Sequence, residues 1–170
     1  MIIVSRFLEK VKDGIHFITG LEEVFCPECT QPMRPHGRCR RLVRMSDECR
    51  HKLSLRVLFC PNCRSHHREL PDFIVPQKHF CAEVIAAICD ALDNYDADNS
   101  TILRIRHWFR KFIVFGAAIL RRLKLEHPSL ATDCDACSSL EKLRYYVRLI
   151  ANVNEWKSIS SPVIFGRLVL

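Results

Sequence analysis

Cys26-Pro27-Glu28-Cys29 and Cys60-Pro61-Asn62-Cys63 supply four thiols in two Cys-x-x-Cys pairs. Each pair can set two sulfurs on one side of a metal ion, and the proline after the first cysteine stiffens the turn by fixing φ. Together they complete a tetrahedral thiolate site, for which zinc is the expected ion. Four thiolates leave no open coordination position for water. One structural Zn2+ held by Cys26, Cys29, Cys60 and Cys63 is therefore expected, without metal-centred catalysis. Thr30 and Arg64 follow the two pairs, where many zinc knuckles carry a glycine able to take positive φ, and this predicts irregular knuckles. A redox role fits poorly, because both pairs flank β-like segments and neither opens a helix in a βαβ unit.

Other reactive side chains are less organised. Cys134-Asp135-Ala136-Cys137 is a third spaced pair without a partner pair, and a second metal site there needs a remote ligand such as His127 or Cys39. Cys39, Cys49, Cys81 and Cys89 read as buried or incidental thiols. His66 and His67 lie near the second pair, but the complete cysteine set makes them neutral strand histidines. His67-Arg68-Glu69 resembles the His-x-Glu of zinc deaminases only in part, since the order relative to the cysteine pair is reversed. Asp93, Asp96 and Asp98 lack the glycine and closing glutamate of a calcium loop and read as an acidic linker. With no open metal position and no activated base, the chain is expected not to be an enzyme.

The elements that must position the cysteines are legible between them. Residues 40–45 and 52–59 alternate basic and apolar side chains, the period of half-buried strands, with Ser46-Asp47-Glu48 as the turn. The order knuckle, strand, turn, strand, knuckle is that of a zinc ribbon. Residues 66–70 can add a third strand. Pro71 and Pro76 exclude a helix between them and mark a boundary. Residues 1–25, broken by Gly14 and Gly20, read as a lead-in hairpin or short helix. Phe80, Val84, Ala87, Ile88 and Ala91 recur at helical spacing, ending near Asp93-Asn94. A second helix capped by Asn99 or Ser100 runs from Ile102 to about Leu125, with Gly116 as a weak point, and a third covers about Leu140 to Val153. The tail through Val163-Ile164-Phe165 reads as a short edge segment. The predicted class is α+β: a lead-in over 1–25, a small antiparallel zinc ribbon over 26–75 and an all-helical part over 76–170.

The 170 residues carry 48% hydrophobic side chains, enough for a real core. Ten cysteines and an N-terminal apolar run too short for a secretory signal predict a reducing, cytoplasmic setting. The longest apolar run, 112–120, is bracketed by basic residues and falls short of the roughly 20 residues of a bilayer span. Net charge is +7, unevenly spread. Residues 33–68 hold ten Lys/Arg against two acids, and residues 101–127 hold seven against one. Two basic segments, one on the ribbon, point to nucleic acid. The expected phosphate contacts are Arg38, Arg40, Arg41, Arg44 and Arg56 on the strands and Arg104, Arg106, Arg110 and Lys111 on the second helix, with Trp108 beside them for stacking.

The run 56–76, with Leu70-Pro71-Asp72-Phe73-Ile74-Val75-Pro76 as its specific part, resembles a bacterial family of small transposon-associated zinc-ribbon proteins, a domain of unknown function. The first knuckle followed by His36-Gly37 and Arg40-Arg41 is similar to that family and to the amino-terminal zinc modules of insertion-sequence transposases. Ser100-Thr101-Ile102 through Trp108-Phe109 is similar to the family's later basic helix. The resemblance covers roughly residues 24–112. It implies DNA binding at or near element ends, or support of a separate transposase. The short spacing between the first two helices leaves no middle helix for a helix-turn-helix unit. The chain is also too short for a complete catalytic transposase domain. The expected function is thus a zinc-stabilised, DNA-binding accessory protein of a mobile element; the alternative is an interaction module docking on a transposase or other partner.

Overall fold

The structure is a computed structural model that describes residues 1–90, 97–126 and 137–152. Six strands come first: β1 (Ile2–Val4), β2 (Phe7–Lys12), β3 (Ile15–Gly20), β4 (Arg34–Arg44), β5 (Arg50–Phe59) and β6 (His66–Pro71). Three helices follow: α1 (Ala82–Asp90), α2 (Asn99–Glu126) and α3 (Ser139–Asn152).

β5 organises the sheet. One of its edges pairs antiparallel with β4 from Arg44↔Arg50 to Arg34↔Phe59. Its other edge pairs with β3 in parallel at Lys52, Leu53 and Ser54, and with β6 antiparallel at Val57, Leu58 and Phe59. β1 lies parallel to β6, and β2 closes the other side as a hairpin with β3. The hairpin turns on Asp13 (φ 52°) and Gly14 (φ 70°), the Asp-Gly pair that a two-residue turn with positive φ at both positions favours. The antiparallel strands expected over residues 40–70 are present as β4, β5 and β6 within a six-stranded mixed sheet, and residues 1–20, expected as a lead-in hairpin or short helix, supply its other three strands. The parallel pairing of β1 with β6 and of β3 with β5 is non-local, set by burial of Ile2, Ile3, Val4 and Ile18 and by no local signal.

The helices cover one face of that sheet. Ile3, Ile18, Leu53, Leu55 and Leu70 from the strands, Val84, Ile85 and Ile88 from α1, Phe112 and Leu123 from α2, and Leu143 and Val147 from α3 form a single buried cluster. The Pro-flanked stretch after β6 belongs to it, because Ile74 and Val75 are fully buried. That stretch is laced to β4 by Arg44 N–H donating to His79 O at 2.7 Å and Cys81 N–H donating to Arg44 O at 3.0 Å.

Helix ends follow side-chain capping. Asp98, one residue before the expected cap, accepts from Thr101 N–H at 2.8 Å and from the Ser100 and Thr101 hydroxyls. The Ser100 hydroxyl first, then the Thr101 hydroxyl and amide, hold its carboxyl well below the usual range. α3 opens with a capping box, in which Ser138 N–H donates to Glu141 Oε2 at 2.8 Å and Glu141 N–H donates to Ser138 Oγ at 3.3 Å. α2 runs unbroken through Gly116, the expected weak point. A Cβ there would lie 2.5 Å from Cγ of Tyr146, so the glycine lets α2 and α3 approach closely. The expected end of the first helix near Asp93, the last residue of the third at Val153 and the edge segment near residue 164 lie outside the described residues.

Candidate metal centre

Both cysteine pairs sit at one end of the β4–β5–β6 unit. The second is the turn of the β5–β6 hairpin, and the first leads into β4 through a bridge between Phe25 and Pro32. The two knuckles repeat one geometry. Cys26 N–H donates to Gln31 O at 2.8 Å, and Cys60 N–H donates to Ser65 O at 2.9 Å, five residues on in each case. Thr30 and Arg64 take φ of 57° and 58°, so both adopt the left-handed conformation that glycine usually supplies. The expectation of irregular knuckles is thereby overturned: the backbone is regular, at a steric cost borne by two side chains.

The four Sγ atoms lie within 4.8 Å of one another. Cys26 and Cys63 are 3.5 Å apart and Cys29 and Cys60 3.4 Å, close to the edge of about 3.8 Å of a tetrahedron with metal–sulfur bonds of about 2.3 Å. Cys26 and Cys60 are buried, Cys29 is half-buried and Cys63 is exposed. The donor set thus fits one thiophilic dication.

Electrostatics agree with that fit. Burial pushes the Cys26 thiol up, but hydrogen bonds from Ser65 and from the Glu28 and Cys29 amides outweigh it, and its pKa falls below the ordinary value. The Asn62 side chain and then the Gln31 amide lower that of Cys29. At Cys60 the Cys63 amide favours the thiolate, but burial and the neighbouring Cys29 and Cys63 thiols prevail, and the pKa is pushed up to about 11. Four like charges in this volume need a cation to coexist.

A supporting shell surrounds the sulfurs. Ser65 Oγ lies 2.9 Å from Cys63 Sγ and 3.0 Å from His67 Nε2. His67 is buried, with Nε2 4.0 Å from Cys26 Sγ and Glu28 at 3.7 Å. Its imidazole therefore orients Ser65 and the sulfur set from outside the ligand ring. Cys137, Cys39, Cys49, Cys81 and Cys89 are free thiols, and Cys134 lies outside the described residues. Burial raises Cys81 to about 11 and Cys89 to about 12, as expected of thiols packed in a core.

The basic residues divide into two groups. Arg38 donates to Ile18 O, Ser54 O and Thr19 Oγ1, and Arg56 pairs with the buried Glu69 at 2.9 and 2.6 Å while reaching Gly20 O. Arg41 donates to Val75 O and Lys78 O, and Arg106 Nε donates to Ile88 O at the end of α1. These four guanidiniums hold the fold together. Arg104 folds onto Ser100 and Thr101, Arg110 reaches Arg106 O, Arg40 is exposed and Lys111 is half-buried. Trp108 does not offer a stacking surface: it is 6% exposed, stacked on Phe112 at 4.9 Å, with Lys78 Nζ 4.3 Å over its ring.

A groove of about 1040 Å³ runs between β4, β6 and the 77–80 segment. Arg40, Arg41, Arg44, Arg50, Arg68 and Lys78 line it, with His66 and His79, and no carboxylate is among the described residues that line it. Burial, then the charge of Arg68, lowers the Arg41 guanidinium, and burial lowers Lys78 to about 8. Both shifts mark cations partly stripped of water. Arg50, Arg68 and Lys78 were not singled out by sequence; only the excess of base over residues 33–68 signalled the first two.

Fold and site define a mixed α+β protein with a four-cysteine cluster able to hold one metal ion. Residues 26–105 match the family model described as a domain of unknown function (DUF6431). The match opens on the first cysteine of the cluster, takes in both pairs, β4 to β6 and α1, and reaches the start of α2; β1 to β3 precede it. No curated protein and no solved structure matches the chain. Among the described residues, no helix is long and apolar enough to cross a membrane.

Proposed function

We propose that this chain is a zinc-stabilised, DNA-binding accessory protein of a mobile genetic element, acting in the cytoplasm without catalysis of its own. Zinc is the ion that a closed set of four soft thiolates suits, and the two knuckles with β4, β5 and β6 would then form a zinc ribbon inside the larger sheet. The observation that carries the nucleic-acid reading is the groove lined, among the described residues, by six Lys/Arg and no acid. A polyanion would restore the solvation that Arg41 and Lys78 lose on burial. The link to mobile elements rests on the resemblance of residues 56–76 and 100–109 alone. Anisotropy titration with labelled DNA at rising salt tests the reading. Affinity should fall linearly on a log–log plot, by counterion release. Absence of binding to DNA or RNA at low salt would contradict it.

A second reading, docking on a transposase or another protein, is favoured by one observation. Leu103, Val114 and Leu125 are 63%, 71% and 84% exposed and recur every eleven residues along α2, on nearly one line of the helix. Co-purification of a partner that Val114→Glu abolishes, with no nucleic-acid binding, would replace the first reading by this one.

A further inference from the structure

We infer that the cationic groove takes a single nucleic-acid strand and not the face of a duplex, with bases stacking on an aromatic trio at one end. This rests on the nucleic-acid reading above and narrows it to a substrate class. Two of the groove's cations are recessed. Arg41 is half-buried with its guanidinium bound to Val75 O and Lys78 O, and Lys78 lies over the buried Trp108 ring. Duplex readout uses a protruding helix or ribbon inserted into a groove of the DNA. Here the charge is concave, and a stiff convex duplex would touch only the rim. A flexible strand can enter.

The groove also continues. A second cavity of about 550 Å³ shares Arg44, Arg50, Lys78 and Phe80 with the first and extends to Thr101 and Arg104 at the start of α2, where it also meets the Asp98 carboxylate that caps the helix. The cations thus follow one path from Arg68 to Arg104, the arrangement of a channel that tracks a backbone. At the Arg68 end, His66 lines the groove and is itself exposed. Its ring lies 4.7 Å from that of exposed His36 and 4.9 Å from that of half-buried Phe59. Three adjoining rings beside a row of cations are what unstacked bases need, since every base has a π-face.

The experiment uses the zinc-loaded full chain, with anisotropy titration of a labelled oligothymidine of about twelve nucleotides and of a duplex of equal length. The strand should bind roughly tenfold more tightly than the duplex at moderate salt. Arg68→Gln and Arg50→Gln should each weaken strand binding and reduce the salt slope by about 0.7, the share of one phosphate contact. His66→Ala should weaken it with the slope unchanged, the mark of lost stacking and not lost charge. Arg6→Gln, an exposed change outside the groove, should alter neither, and circular dichroism with zinc content checks that each variant folds. Equal or tighter duplex binding would overturn the single-strand inference and leave the nucleic-acid reading standing. So would strand binding indifferent to Arg68, Arg50 and His66. Binding of neither probe would overturn both.

Discussion

Thr30 and Arg64 carry a cost that the metal site imposes on the backbone. Each is a side-chain-bearing residue held at positive φ beside a cysteine pair, about 1 kcal/mol above a favoured conformation. Thr30→Gly and Arg64→Gly should each stabilise the metal-loaded protein by up to about 1 kcal/mol, less the entropy that glycine adds to the unfolded chain, as read from denaturant midpoints. The opposite sign belongs to Arg56. Its guanidinium holds the Glu69 carboxylate, which is 2% exposed and also receives Gly20 N–H. Arg56→Ala leaves that charge buried without a counter-charge, and should cost about 3–5 kcal/mol in the same measurement. The four cysteines were legible because their spacing is itself the chemistry. The work of Arg38, Arg41 and Arg56 was not, because an arginine on a strand reads alike whether it faces solvent or reaches a carbonyl or a carboxylate across the sheet. Ser65 and His67 were hidden in the same way: their positions depend on how two remote knuckles meet.

Periodicity revealed β4, β5, β6 and the three described helices at the level of elements, through the basic–apolar alternation of the strands and the apolar stripes of the helices. What it did not record was partnership. β1 and β3 meet β6 and β5 in parallel across long stretches of chain, and no local pattern distinguishes that from a lead-in hairpin. Gly116 shows the same limit at a single position. It reads as a break in a helix, yet it sits where Tyr146 of α3 leaves no room for a Cβ. Gly116→Ala, which raises helix propensity, should nevertheless destabilise the protein by about 1–3 kcal/mol, because the buried ring must move. Thermal unfolding gives the sign directly, and a rise in midpoint would show that α2 and α3 do not pack as described.

Charge acts at the scale of the whole molecule. The chain gathers cations from β4, β5, β6 and the 77–80 segment on one concave face, and the sequence showed their excess but not their convergence. Lys78 makes that face sensitive to pH. Burial lowers its pKa from 10.5 to about 8, with Arg44, Arg50 and His79 beside it and Asp98 across the groove. A bound phosphate favours the charged amine, so polyanion affinity should be full at pH 7 and decline severalfold as pH rises through 8 towards 9.5; Lys78→Gln should lose affinity at pH 7 and flatten this step. Beneath the groove, β4 and the β5–β6 turn are joined at one end by the cysteine cluster, so a metal ion closing the cluster would also hold the cationic face in shape. Elemental analysis of the purified chain, paired with chelator-induced unfolding, tests this most directly. One zinc per chain, absent from Cys60→Ser, with loss of cooperative unfolding when it is removed, is the predicted result. A chain that contains no metal, or a Cys60→Ser variant that folds and melts like the native protein, would contradict it.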